Sequence, residues 1–312
     1  VGSEMCIRDS TLGCGSAKPT LHHQPSSTVI DHRGNLFMVD CGEGAQYAFQ
    51  RQRLKFSRLG HIFLTHLHGD HVLGLPGLIS SLGLGGAGGK IVIHTFADGK
   101  RILTRILDFF AGELPFEVEY NVIRPEEAVI LETPSLTVRT VPLNHRVPTV
   151  GYIFEEKPKL RHIRRDMTDF HQVPFSEMQR LREGADFIKP DGTLIPNRML
   201  TTDADPSLSY AHISDTAYMP ELAAKIGPVD LLFHETTYLE RNLADAAARG
   251  HSTARQAATV ARDAGAKALL TGHYSSRYKN DEDFRKEALE VFPNVILNRE
   301  GCLLYTSPSP RD

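Results

Sequence analysis

Short apolar runs of strand length alternate with longer segments of helical period along most of this chain. Positions 27–41 read as a hairpin: a strand, the turn Arg33-Gly34-Asn35, then Leu36-Phe37-Met38-Val39 ending on Asp40. Helical character follows over 43–57, then a strand at 61–65 and a short helix over 74–82. Further strands are predicted at 91–94, 118–123, 128–132, 136–141 and 149–154, with a helix near 98–110.

The pattern breaks over 155–200. Here the basic run Lys157-Pro158-Lys159-Leu160-Arg161-His162-Ile163-Arg164-Arg165 leads into a helix-like piece and a stretch punctuated by Pro and Gly. Nothing alternates cleanly, so 156–200 is expected to be an inserted arm that projects from the core. The regular pattern then resumes: a strand at 209–214 before Asp215, a helix over 217–226, and a strand at 229–233 before His234-Glu235. Helices at 238–249 and 252–264, a strand at 267–271 before Gly272-His273, a helix at 281–291 and a strand at 294–298 complete it. Alternating strands and helices imply an α/β fold of sheets covered by helices, each half of the chain contributing one sheet.

Composition narrows the class. The chain has 312 residues, 41% hydrophobic and 23% charged, with net charge −3. That is ordinary for a globular protein and lacks the overall basic field of a nucleic-acid binder, so a polyanionic substrate needs a local patch or bound metals. No apolar run reaches membrane-span length, and no signal-peptide pattern opens the chain. The cysteines at 6, 14, 41 and 302 form no Cys-x-x-Cys pair. Neither a disulfide framework nor a thiolate zinc site is therefore expected, and a cytoplasmic location fits. Residues 1–10 (VGSEMCIRDS) and 303–312 (LLYTSPSPRD) match neither neighbouring pattern and resemble translated adapter read-through. They are set aside as non-native, leaving a catalytic domain over 11–301.

The chemistry concentrates in Thr65-His66-Leu67-His68-Gly69-Asp70-His71. Imidazole and carboxylate are ligands for zinc and related ions. Adjacent side chains such as Asp70 and His71 usually point apart, so the run serves two neighbouring metals more easily than one. Two metals a few ångströms apart are a device for hydrolysing phosphate esters or amides. Further ligand types stand where strands end, at Asp40, His145, Asp215, His234 and His273. The glycine-rich run 83–89 ends in Lys90-Ile91, without the Lys-Ser/Thr of a nucleotide-phosphate loop, and reads as a flexible connection.

The motifs THLHGDH, the preceding VDCGEG, then NHR, SDT, FHET, GHST and GHYSSRY resemble the metallo-β-lactamase superfamily. More closely they resemble its ribonuclease Z family of tRNA 3′-processing endonucleases, and the opening GCGSAKPTLHHQPSS is similar too. The resemblance implies a four-layer αββα sandwich and two zinc ions per subunit. It assigns His66, His68 and His145 to one zinc, Asp70, His71 and His273 to the other, and Asp215 to both. Asp40 is then expected to orient the histidine loop, and Glu235 a neighbouring imidazole. The implied reaction is metal-hydroxide attack on a phosphodiester of precursor tRNA, leaving a 3′-hydroxyl on the tRNA. Asp70 would orient the water or accept its proton, and His251 would donate one. Ser275 and Arg277 are candidates to hold an RNA phosphate. Known members carry a Gly-Pro-rich arm tip, whereas this chain reads FHQVPFSEMQRLREGADFIKPDGTLIPN. Its basic run still suits a tRNA clamp, and the resemblance implies a homodimer. The alternative is the same fold acting on another substrate: a small phosphodiester, an arylsulfate, a β-lactam or a thioester.

Overall fold

The computed structural model describes residues 7–85 and 89–305, with side chains over 10–85 and 89–302. It separates into two compact units. One comprises the residues up to 132, 138–154 and those from 208 onward; the other comprises 133–137 and 155–207.

Two seven-stranded sheets make the first unit. In spatial order the first sheet runs Leu303–Tyr305, Ile7–Gly13, Ser27–His32, Asn35–Val39, Leu59–Phe63, Lys90–Thr95 and Glu117–Val122. The second runs Val295–Ile296, Ala268–Gly272, Leu231–Glu235, Ser209–Ile213, Thr149–Glu156, Leu136–Leu143 and Ala128–Glu132. The expected hairpin pairs Thr28 with Val39 and His32 with Asn35. Its two-residue turn has positive φ at both Arg33 (52°) and Gly34 (87°), the geometry that matches the twist of antiparallel strands.

Continuous apolar runs arise because the strands are covered on both faces. Leu36, Met38, Ile62 and Leu64 pack with Phe49, Leu78, Leu82, Leu103 and Leu107 of the helices Ala45–Arg51, Leu75–Leu84 and Ala97–Phe110. The intervening Phe37 and Phe63 point the other way and meet Tyr152 and Phe154 of the second sheet, with ring centroids 5.2–6.3 Å apart. The second sheet does the same in reverse. Ile153, Ala211 and Ile213 pack with Leu222, Ala254, Ala258, Ala261 and Phe284 of the helices Leu222–Ile226, Ala254–Ala264 and Glu282–Leu289. Helix, sheet, sheet and helix therefore stack as the four layers αββα.

Several element bounds differ from the sequence reading. The helix expected over 217–226 spans only Leu222–Ile226, because Pro220 disfavours helical backbone before it. The expected 43–57 helix stops at Arg51; Arg53 takes a left-handed φ of 54°, and a 3₁₀ turn follows at Phe56–Arg58. The helix of 238–249 spans Leu243–Arg249, behind a 3₁₀ turn at Glu240–Asn242. Of the terminal stretches set aside, Ile7–Ser10 and Leu303–Tyr305 pair as strands, and the remainder lies outside the described residues. Part of the glycine-rich run, 86–88, also lies outside them.

The second unit, which contains the inserted stretch, is built from short pieces, which is why no period was legible. Strand pairs His162–Ile163 with Thr201–Thr202 and Phe187–Ile188 with Leu194–Ile195 frame the helices Arg165–Phe170, Met178–Arg182 and Asn197–Leu200. A small core of Leu181, Phe187, Ile195 and Leu200 holds them together. Much of the basic run is engaged internally: Lys159 pairs with Glu156 at 2.7 Å, Arg161 with Asp203 at 2.8 Å, and Arg164 with Asp166 at 3.3 Å. Nowhere among the described residues is a helix long and apolar enough to cross a membrane.

Candidate metal centre

α/β folds deliver reactive side chains at the C-terminal ends of their strands, and five such ends surround one point. Asp40 follows Asn35–Val39, His66 and His68 follow Leu59–Phe63, His145 follows Leu136–Leu143, Asp215 follows Ser209–Ile213, and His273 follows Ala268–Gly272. Asp70 and His71 lie on the short helix Gly69–Val72 that turns the histidine loop back over the sheet edge.

Two sets of donors take up the histidine run, and Asp215, His251 and His273 form a third group that overlaps them. His66, His68, His145 and Asp215 each bring one ligand atom within 4.8 Å of the others, and so do Asp70, His71 and His273. Asp215 stands between the sets. Its Oδ2 is 3.6 Å from His66 Nε2 and 3.8 Å from His145 Nε2, while its Oδ1 is 3.3 Å from His273 Nε2 and 3.5 Å from His71 Nε2. The histidine run thus divides between two sets. The adjacent pair Asp70 and His71 nonetheless converges, Oδ2 to Nε2 at 3.6 Å, because helical backbone replaces the extended chain in which neighbours diverge.

The donor set fits divalent metal. Two ligand atoms on one tetrahedral zinc stand about 3.3–3.4 Å apart, given bonds of about 2.0–2.1 Å. Here His145 Nε2 and His68 Nδ1 are 3.3 Å apart, and so are His71 Nε2 and His273 Nε2.

The far nitrogen of four of the five rings, those of His66, His71, His145 and His273, is occupied, which fixes the near one as the lone-pair donor. His71 Nδ1–H donates to Asp40 Oδ2 at 2.7 Å, and His145 Nδ1–H to the Gly250 carbonyl at 2.7 Å. His273 Nδ1–H donates to Thr237 Oγ1 at 2.9 Å, whose own hydroxyl donates to Glu235 Oε2 at 2.6 Å. His66 Nδ1 meets Thr65 Oγ1 at 3.1 Å, and that hydroxyl donates to Asp40 Oδ2 at 2.8 Å.

Two buried carboxylates therefore organise the rims. Asp40 also accepts the Thr65 amide, and Glu235 the amides of Thr216, Thr237 and Ser252. Asp40 and His273 both hold left-handed φ, 57° and 60°, a strained conformation found where side-chain aim outweighs backbone comfort. Gly250 is required where it stands: its φ is 71°, and a Cβ there would meet His145 Nδ1 at 3.0 Å.

Charge follows the same plan. Burial alone would push Asp215 up, yet His273, His71 and His66 hold it well below the usual carboxylate range. Asp70 is likewise held low, against burial, by its hydrogen bond to His273 and by His71. Burial pushes His66, His68 and His145 down, toward the neutral form that binds metal.

The remaining expected residues border this cluster. His251 Nδ1 lies 3.0 Å from Glu235 Oε1, and its ring centroid is 5.1 Å from His145 and 5.6 Å from His273. Burial lowers its pKa, but the Glu235 carboxylate and hydrogen bond, with Asp215, raise it to about 9. Ser252 does not cap the following helix; Thr253 does, in a reciprocal pair with Gln256. Arg277 is ion-paired with Asp245 and lies over the Tyr238 ring at 5.5 Å, that ring being 6.0 Å from His251. Ser275 is half-buried beside it and accepts the Arg277 amide at 3.4 Å. His234 points away into a bond with the Glu235 carbonyl at 2.8 Å.

The sequence reading missed Thr65, Thr237, the Gly250 carbonyl and the Ala17 amide, which donates to Asp70 Oδ2 at 2.7 Å. Thr65 opens THLHGDH and so lay inside a motif already singled out, whereas Thr237 stands one place beyond FHET.

Known proteins carry the same arrangement of chain. Two family models match parts of it, the anti-Pycsar protein Apyc1 over residues 10–93 and the beta-lactamase superfamily domain over 199–274. The chain is 49% identical to ribonuclease Z of Parabacteroides distasonis over 294 residues, covering 94% of this chain and 97% of that protein. It is 47% identical to ribonuclease Z of Bacteroides fragilis, with the same coverage of both. Among solved structures, the short form of human tRNase Z superposes with a TM-score of 0.70 at 22% identity, covering 97% of this chain and 100% of that one. The metallo-β-lactamase-fold protein YhfI of Bacillus subtilis gives 0.67 at 18% identity, covering 96% and 99%. The structural likenesses carry the αββα fold, and near-half identity over almost the whole length of both sequences carries more: this chain belongs to the ribonuclease Z family.

Proposed function

We propose that this protein is a zinc-dependent endoribonuclease that removes the 3′ trailer from precursor tRNA. The observation that carries the reading is the division of the two Asp215 oxygens between two histidine sets, in a chain whose ribonuclease Z relatives match it almost throughout. His66, His68 and His145 would hold one ion and Asp70, His71 and His273 the other, with Asp215 shared. When bound, such ions make hydroxide available near neutral pH and neutralise charge on phosphoryl oxygens.

The chain's own groups do the rest. Asp70, on the rim of its donor set, orients the attacking water or accepts its proton. His251, fixed through Nδ1 by Glu235, keeps Nε2 for donating a proton to the departing 3′-oxygen, so that the tRNA ends in a hydroxyl. Ser275 and Arg277 hold a neighbouring phosphate, Arg277 exchanging Asp245 for RNA. The arm contributes affinity through those basic groups not committed to its own carboxylates. A homodimer and a cytoplasmic location complete the reading, the latter supported by the buried thiols of Cys14 and Cys41.

Cleavage of a precursor tRNA, compared with bis(p-nitrophenyl) phosphate and nitrocefin and run beside elemental analysis of the protein, tests it. The expected result is two zinc ions in the centre and cleavage of the tRNA far ahead of both small substrates. Turnover of nitrocefin without tRNA cleavage would overturn it.

A further inference from the structure

A second cluster of metal-ligand side chains lies in the first unit, apart from the centre just described. Cys14 Sγ is 3.3 Å from His23 Nδ1, which is 3.8 Å from Glu300 Oε1, and all three atoms lie within 4.8 Å of one another. The other ring nitrogen, His23 Nε2, is 2.9 Å from Asp281 Oδ2. We infer that Cys14, His23 and Glu300 form a further site for a zinc-like divalent ion, with Asp281 orienting the imidazole.

Four features support it. Sulfur and nitrogen on one tetrahedral zinc stand about 3.5 Å apart, given bonds of about 2.3 and 2.0–2.1 Å, so the three donors need little movement. A carboxylate on the far nitrogen is the usual partner of a metal-bound histidine, and it turns the Nδ1 lone pair toward the thiol. The site is prepared by backbone: the His23 amide donates to Thr20 Oγ1 at 2.9 Å, and the Gln24 amide donates to Glu300 Oε1. Cys14 itself is 2% exposed, while His23, Asp281 and Glu300 border a cavity of about 760 Å³ through which an ion and one water ligand reach the site. Three protein donors plus solvent make an exchangeable site rather than a closed structural one. Binding releases the thiol and imidazole protons to solvent.

The site is connected to the catalytic edge. The Tyr274 amide donates to the Cys14 carbonyl at 2.9 Å, next to the ligand His273, and the Ser16 amide donates to the Tyr274 carbonyl at 3.1 Å. One residue on, the Ala17 amide donates to Asp70 Oδ2. An ion on Cys14, His23 and Glu300 would pin this loop to Asp281 and Glu300, and with it the Ala17 amide that fixes Asp70. The competing arrangement uses the same residues without metal: an imidazolium of His23 clasped between Asp281 and Glu300.

Cobalt(II) separates the two, because the Asp215 centre contains no thiolate and cannot give a thiolate-to-cobalt charge-transfer band. The full-length protein loaded with cobalt should show that band, and Cys14→Ser should lack it and hold one fewer ion per chain. His23→Gln should also lose one ion while retaining those of the Asp215 centre. Glu300→Gln, at a side chain that is not deeply buried, covers the case in which Cys14→Ser fails to fold. It should raise the cobalt concentration that saturates the band at least tenfold. A wild-type protein with no such band, a band that persists in Cys14→Ser, or an unshifted titration in Glu300→Gln would overturn the site in favour of the imidazolium clasp.

Discussion

Asp40 accepts the Nδ1–H of His71 at 2.7 Å from a backbone held at a φ of 57°. The carboxylate is buried at 0% exposure and also accepts both donors of Thr65, so one side chain sets the aim of the whole histidine loop. Asn tolerates left-handed backbone as well as Asp does, which makes Asp40→Asn a clean removal of charge. Metal affinity is expected to fall about 10- to 100-fold, measured by chelator competition, with cleavage falling alongside. An unchanged affinity would mean that Asp40 only supports the backbone.

Asp70 is placed to handle the attacking water. Asp70→Ala should reduce cleavage of precursor tRNA by about 10²- to 10⁴-fold while leaving its binding, followed by gel mobility, within a few-fold of wild type. Equal losses in binding and cleavage would assign Asp70 to substrate affinity instead.

His251 lies within ligand reach of Asp215 and His273 but outside the sets that hold His66, His68, His71 and His145, and its Nδ1 is taken up by Glu235 at 3.0 Å. His251→Ala should therefore slow single-turnover cleavage by about 10²- to 10⁴-fold with metal content unaltered. If turnover is unaffected, the proton comes from elsewhere. Glu235→Gln should cost both the His251 effect and some metal affinity, because Glu235 reaches His273 through Thr237.

Acid stability carries a signature of its own. His94 is buried between Phe63, with ring planes 4.3 Å apart by centroid, and His61, 3.1 Å from its Nε2. Burial, aided by His61, lowers its pKa to about 3. In the folded state it stays neutral where the unfolded chain, near 6.5, is already protonated. Its folded pKa being depressed, protonation favours unfolding as pH falls from about 6.5 toward 3. The contribution to the slope reaches about 1.4 kcal/mol per pH unit. Denaturant unfolding of His94→Gln between pH 7 and 5 should show a shallower pH slope than wild type, whatever its absolute stability. An identical slope would show that His94 opens to solvent well before the fold does.

Much of the centre was readable in one dimension because of a local rule. Strands buried on both faces appear as apolar runs, and polar side chains at their ends have few structural uses, so THLHGDH after 61–65 and Asp215 after 209–214 identified themselves. The elements most poorly read, 155–200 and 217–226, are those where short pieces or Pro220 leave no period to count. Thr237 and the Ala17 amide were illegible for a different reason: a hydroxyl or an amide acquires its role from what faces it, and nothing in its own neighbourhood records that. Arg277, a phosphate candidate by position, is ion-paired with Asp245, 32 residues away.

The order of residues by itself determined the ligand types, the alternation that makes two helix-covered sheets, and the strand ends on which the ligands sit. Only the tertiary structure decided that Asp215 presents one oxygen to each histidine set, and that Asp40 and Glu235 fix which ring nitrogen faces inward. It also brought Cys14 and Glu300, near opposite ends of the chain, to one histidine. Strand ends become neighbours only when parallel strands align, and hydrogen-bond partners are selected by distance in space, which a linear pattern does not encode.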